Sequence, residues 1–252
     1  MSVASKIPQI GLCFWVMKIC ATTLGETAGD LLSMTLDIGY AASSVILISL
    51  FGASLAGQLA AKGYKPWLYW LVILSTSTAG TTMSDYMDRT LGLGYAKGSL
   101  VLITLLLGVF ALWRRVTPSL SVTSISSRKV ELLYWTAILF SNTLGTAFGD
   151  YLADDSGLGF AGGALLVGAL LAVIVGLTYF TSLSRVGLFW AAFVLTRPFG
   201  ATMGDVLTKT PEKGGLGLGT IGSSAVLGAI LVALVIYATW QERKPAPQAI
   251  TA

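Results

Sequence analysis

The sequence predicts an all-α integral membrane protein: eight transmembrane helices from four parallel two-helix repeats, arranged as two halves. Three observations predict it. The first is composition. Of 252 residues, 54% are apolar and 11% charged, against roughly 25% charged in soluble domains, and the mean hydropathy is +0.77. The second is a recurring Gly–Asp pair: Gly25, Gly80, Gly145 and Gly200 are each followed five residues later by Asp30, Asp85, Asp150 and Asp205. The third is a tryptophan ten residues before each of those glycines, at Trp15, Trp70, Trp135 and Trp190.

Spacings of 55, 65 and 55 between the anchor glycines pair the first two repeats and the last two. The polar segment at 114–129, rich in Ser and Thr, joins the halves as a loop. The whole chain, 1–252, reads as one membrane domain with repeats at about 10–60, 66–113, 131–181 and 186–239.

Each repeat supplies two spans of about 20 residues, the length a helix needs to cross a bilayer. Strands are excluded by the lack of apolar–polar alternation. The first span, 10–32, follows Lys6 as a signal peptide would, but its pattern recurs three times and marks it as a retained helix. The second, 39–60, begins at a further glycine, Gly39, fourteen residues past the anchor. The spans at 66–88 and 95–113 repeat the arrangement around Gly94, and those at 131–152 and 159–181 repeat it around Gly159. In the last pair, 186–207 and 218–239, the connection is five residues longer and the matching glycine is Gly219. The tail from Gln241 onward is too short to fold and is expected to be unstructured.

Basic residues set the topology. Lys6, Lys62, Lys65, Arg114, Arg115, Arg128, Lys129, Arg185, Arg243 and Lys244 lie at one end of the spans, against Arg89, Lys97, Lys209 and Lys213 at the other. That bias puts both termini in the cytoplasm, and two spans per repeat make the duplication parallel. There is no histidine, so the commonest metal ligand is missing. Cys13 and Cys20 share a helix face about 10 Å apart, too far to bridge, and both read as buried thiols.

Four tandem two-helix repeats, each with a tryptophan, resemble a family of bacterial membrane proteins known chiefly as a repeat of unknown function. The resemblance covers nearly the whole chain. It implies this fold and a bacterial inner membrane, and it implies no activity.

Function therefore rests on the acids. Asp30 lies 15 residues past Trp15, about 22 Å along a helix, within the outer part of an apolar layer about 30 Å thick. Lys18, Thr22, Glu26 and Asp30 step by four and form one stripe. Thr78 with Asp85, Asn142 and Thr146 with Asp150, and Arg197 with Asp205 form the equivalents. Ionisable groups at such depth face a bundle interior or aqueous cavity, so the odd-numbered helices are expected to turn inward and the even ones to form an outer scaffold. The small-xxx-small pairs Gly25/Gly29, Gly80/Ser84, Gly145/Gly149 and Gly200/Gly204 read as close helix packing, and the tryptophans as interfacial anchors or packing. The Thr and Asn residues either bond their own helix carbonyls or line a site. Pro198 within its span suits a kink, a hinge or a freed carbonyl ligand.

Glu26, Asp30, Asp85, Asp150 and Asp205 against Lys18 and Arg197 give an interior charge of −3, to be met by protons, water or a cation. Arg197 is expected to pair with a carboxylate of another repeat. The five acids form the expected metal set, with Lys18, Thr22, Thr78, Asn142, Thr146 and Arg197 lining or tuning it. The expected function is a non-enzymatic transporter or exchanger for a small, hard divalent cation such as Mn²⁺ or Mg²⁺, coupled to protons. An intramembrane aspartyl hydrolase, a non-transporting sensor or scaffold, and an organic-solute carrier stand as alternatives. The expected partners are the lipid bilayer, a small cation and protons, with no nucleic acid. A homo-oligomer is left open, and no cofactor is expected beyond a bound divalent cation.

Overall fold

The computed structural model describes residues 6–125 and 127–242. Among them are eight long helices and no strand: α1 (Leu12–Asp30), α2 (Tyr40–Ala60), α3 (Pro66–Asp85), α4 (Tyr95–Val116), α5 (Arg128–Asp150), α6 (Gly159–Phe180), α7 (Arg185–Thr208) and α8 (Thr220–Glu242). Gln241 and Glu242, expected in the tail, close α8; the rest of that tail, with Arg243 and Lys244, lies outside the described residues. Five helices, α2, α4, α6, α7 and α8, are long and apolar enough to cross a membrane. The other three, α1, α3 and α5, spend much of their length on buried Thr, Ser and acidic side chains.

The odd helices close a ring: α1 packs on α3, α3 on α5, α5 on α7, and α7 back on α1. The anchor glycines make this approach. A Cβ on Gly25 would overlap Ser77, one on Gly145 would overlap Arg197, and one on Gly200 would overlap Thr22. At Gly80 the obstacle is backbone, with the Asn142 carbonyl carbon and the Thr143 nitrogen both 2.9 Å from the added atom. Each small residue thus opens its helix to the next one round, as close packing of small-xxx-small pairs requires.

The even helices stand outside the ring, each on the inner helix of the following repeat: α2 on α3, α4 on α5, α6 on α7, and α8 on α1. No repeat is therefore a closed unit, and α8 completes the circle by covering α1. The second glycine of each repeat begins the turn into the outer helix with a positive φ. Gly39 and Gly94 start α2 and α4 at φ 80°, ψ 159° and φ 75°, ψ 152°, a region essentially closed to residues with a Cβ. Val45, Leu100, Leu165 and Val226 on the even helices are exposed.

One expectation changes, at Cys13, and the tryptophans take the packing side of theirs. Trp70, Trp135 and Trp190 are buried, and only Trp15 is part-exposed. They pack edge-on among Tyr69, Tyr134, Trp113 and Phe193 and plug the ring at the end that carries the chain termini. There the Tyr69 and Tyr134 hydroxyls lie 2.6 Å apart. The indoles sit one residue from the inward-facing Phe14, Tyr69, Tyr134 and Phe189, which turns them into the seams between helices. Cys13 is exposed, and Cys20 alone is buried. Finally, α7 runs unbroken through Pro198, whose ring fills the space left by Gly145.

Candidate carboxylate centre

Stepping by four along α1, α3, α5 and α7 stacks side chains in layers about 6 Å apart down the ring. From the plugged end they are Phe14/Tyr69/Tyr134/Phe189, then Lys18/Ile73/Ile138/Phe193, then Thr22/Ser77/Asn142/Arg197. Glu26/Thr81/Thr146/Ala201 follow, and the four aspartates form the last layer. All five predicted acids are buried. The structure brings them to one end of the ring and splits them into three groups, each held by a base.

The first group is central. Both terminal nitrogens of Arg197 donate to Glu26 Oε2 at 3.0 Å. Its Nη2 also reaches the hydroxyls of Thr81 at 2.6 Å and Thr146 at 2.7 Å, and the Ser77 carbonyl at 3.3 Å. Arg197 thus touches three of the four side chains in the Glu26 layer. The expected pairing with a carboxylate of another repeat is present, and Arg197 is fully buried.

The aspartates pair off around two bases that the sequence analysis counts only toward topology. Lys209 Nζ bridges Asp30 Oδ2 at 2.7 Å and Asp205 Oδ1 at 3.1 Å. Arg89 bridges Asp85 through Nε at 2.9 Å and Asp150 through Nη2 at 3.3 Å. Asp85–Arg89 and Asp205–Lys209 are i,i+4 pairs, and that spacing was the available signal. It occurs only in repeats two and four, so each half contributes one base. Burial works against the Lys209 charge, but the facing Asp205 and Asp30 carboxylates outweigh it and hold the ammonium above the ordinary lysine range. The interior count is corrected accordingly: Arg89 and Lys209 join Arg197 and the deeper Lys18, so the −3 of the sequence count becomes −1.

Among the described residues, one acidic group is close enough to ligate a single ion: Glu26, Asp30 and Asp205 offer oxygens within 4.8 Å of one another. Asp85 and Asp150 stand apart from it, with Arg89. Beside the group lies a cavity of about 380 Å³, bounded by Asp205, Lys209, Arg89, Lys213 and Asp154 among others. In repeats one to three the helix widens into a π-turn directly after the aspartate, at Leu31–Thr35, Tyr86–Thr90 and Tyr151–Asp155. Such turns recur at functional sites, and repeat four has none.

The remaining predicted residues divide. Thr146 touches both Glu26 and Arg197. Thr22 donates to the Lys18, Ile19 and Thr196 carbonyls, and Thr78 to Leu74 and Ser75, so both serve backbone rather than the site. Thr78 misses the axis because Ser77 and Thr81 keep step with Asp85, while Thr78 is turned about 100° away. Asn142 accepts from Lys18 Nζ at 3.3 Å and donates to Thr76 Oγ1 at 2.9 Å.

Lys18 itself lies over the Phe193 ring at 4.2 Å, below the carboxylates and in no ion pair. A buried ammonium held only by an amide and a ring is costly. Lys18→Met is expected to raise stability by about 1 kcal/mol, read as a higher unfolding midpoint in detergent; a lower midpoint would show that the amine is a needed structural donor.

The sequence profile of the family described as "Repeat of Unknown Function (DUF347)" matches residues 13–64, 68–118, 133–184 and 188–244. No curated protein and no solved structure matches the chain. With four tandem matches covering most of its length, the protein belongs to this repeat family.

Proposed function

We propose that the protein crosses the bacterial inner membrane eight times, with both termini in the cytoplasm, and carries a small, hard divalent cation such as Mn²⁺ or Mg²⁺ in exchange for protons. The observation that carries this reading is the buried trio Glu26, Asp30 and Asp205, with three carboxylate oxygens within 4.8 Å beside an open cavity. An all-oxygen set without imidazole or thiolate suits Mg²⁺, Mn²⁺ or Ca²⁺. The carboxylates outnumber the three bases that pair with them, so the same groups can alternate between a cation and protons.

The membrane reading is supported by the exposed aliphatic faces of the even helices and by the cations at 62–65, 114–115, 128–129 and 185. It also explains why α1, α3 and α5 tolerate polar side chains: in the ring they face each other rather than lipid. The aromatic plug would close the cytoplasmic side while the carboxylates communicate with the outer cavity. The aspartyl-hydrolase alternative gains nothing from the geometry, because a base rather than a shared proton bridges each aspartate pair.

Mn²⁺ binding to the purified protein in nanodiscs, followed by electron paramagnetic resonance, tests this. One site is expected, weakened at least roughly tenfold, or about 1.4 kcal/mol, by Asp30→Asn or Asp205→Asn, and unaffected by Thr78→Val. Equal binding by the wild type and an Asp30→Asn/Asp205→Asn double variant, or no binding to either, would refute it.

A further inference from the structure

The aspartate pairs are bridged differently, and the difference falls on the longer connection of repeat four. On the Arg89 side, two nitrogens of a rigid guanidinium engage Asp85 and Asp150 separately, with Tyr95 packed against the group at 5.5 Å. That clamp is fixed in several places at once. On the other side, a single ammonium on a flexible four-carbon stem sits between Asp30 and Asp205. A compact point charge is the side-chain group that most resembles a small cation.

The chain around Lys209 is built to present it. Where the other repeats make a π-turn, α7 ends at Thr208 and the next residues fold back on its last turn. The Leu216 N–H donates to the Val206 carbonyl at 2.7 Å, Gly217 to Lys209 at 2.9 Å and Leu218 to Leu207 at 2.9 Å. Gly215 lies against the Lys209 carbonyl, where a Cβ would come within 2.0 Å. In the repeat with the longer connection these bonds therefore fix the Lys209 backbone, while its side chain is held through the ammonium alone. Both bases line the cavity, with Lys209 20% and Arg89 33% exposed, so each has room beside it and the difference lies in how it is held: the guanidinium at two nitrogens and against Tyr95, the ammonium at one atom.

Building on the cation-carrier reading, we infer that Lys209 is a tethered competitor for the transported cation. Its ammonium occupies the place between Asp30 and Asp205 while the site is empty and withdraws into the cavity when a cation arrives. The resident ammonium spares the empty carrier two bare, facing carboxylates, which would repel each other in a poorly hydrated interior. It also sets affinity, because an entering ion must displace an existing ion pair.

The sign of one substitution decides this. A lysine that only supports the site weakens Mn²⁺ binding when removed, whereas a competitor strengthens it. Mn²⁺ titrations of the full chain in nanodiscs are expected to show Lys209→Gln binding about tenfold tighter than wild type. Lys209→Arg, with a bulkier and more firmly held cation, is expected to bind more weakly. Binding by wild type with an unchanged or lower affinity in Lys209→Gln would overturn the inference and leave the carrier reading standing. Absence of Mn²⁺ binding in both wild type and Lys209→Gln would sink the two together. Should Lys209→Gln fail to fold, Lys209→Met replaces it, judged by the same direction of change.

Discussion

Arg197→Met is expected to cost about 3–5 kcal/mol of stability, as removal of one partner from a buried ion pair does. Arg197 has no exposed surface and serves Glu26, Thr81, Thr146 and the Ser77 carbonyl together. Without it the Glu26 carboxylate stays buried with only two threonine hydroxyls near by, each at 3.3 Å. Glu26→Gln in the same chain removes the stranded charge. The double variant Glu26→Gln/Arg197→Met is therefore expected to recover more than half of the loss. Unfolding in detergent, followed by the buried tryptophans, reads both effects. Single and double variants of equal stability would mean that Arg197 acts through its packing against Gly145 rather than through Glu26.

Gly80→Val is expected to destabilise the ring by about 3 kcal/mol, at the upper end of the usual cost of overpacking. At the other anchor glycines an added Cβ meets side-chain atoms among its nearest neighbours. At Gly80 it meets the backbone of Asn142 and Thr143 at 2.9 Å, which no rotamer change relieves. The substitution would push α3 from α5, and with them Asp85 from Asp150, apart from the span that Arg89 covers. Gly108→Ala on α4, where nothing lies within 4 Å of the new Cβ, is the control. It is expected to be neutral or to gain up to about 1 kcal/mol from helix propensity. A Gly80→Val variant as stable as Gly108→Ala would mean that the α3–α5 approach is looser than the ring requires.

Asp30, Asp85, Asp150 and Asp205 could be placed in one layer before any coordinates, because a fixed offset from a repeated glycine fixes both depth and rotation on a helix. That Arg197 pairs with a carboxylate of another repeat was legible too, because an unrepeated base deep in the ring needs one; that the partner is Glu26 came only with the structure. Arg89 and Lys209 were missing from the expected site because a base at the end of a span reads as a topology marker. Only their i,i+4 spacing from an aspartate hinted otherwise. The direction in which a long side chain turns depends on what faces it. Asp150 and Asp30, which draw the two bases inward, come from other repeats, 61 and 179 residues distant along the chain.

The sequence by itself determined the repeat, the division into polar inner and apolar outer helices, and the rank of aspartates, since all of these are periodicities along a single strand of chain. Only the tertiary structure decided that each outer helix covers the next repeat's inner helix, that α8 closes the circle on α1, and that five acids become three groups. The physical reason is that spacing sets the angle between residues on one helix, whereas neighbours between helices are chosen by fit. Here that fit is a glycine against a backbone and a lone base between two carboxylates.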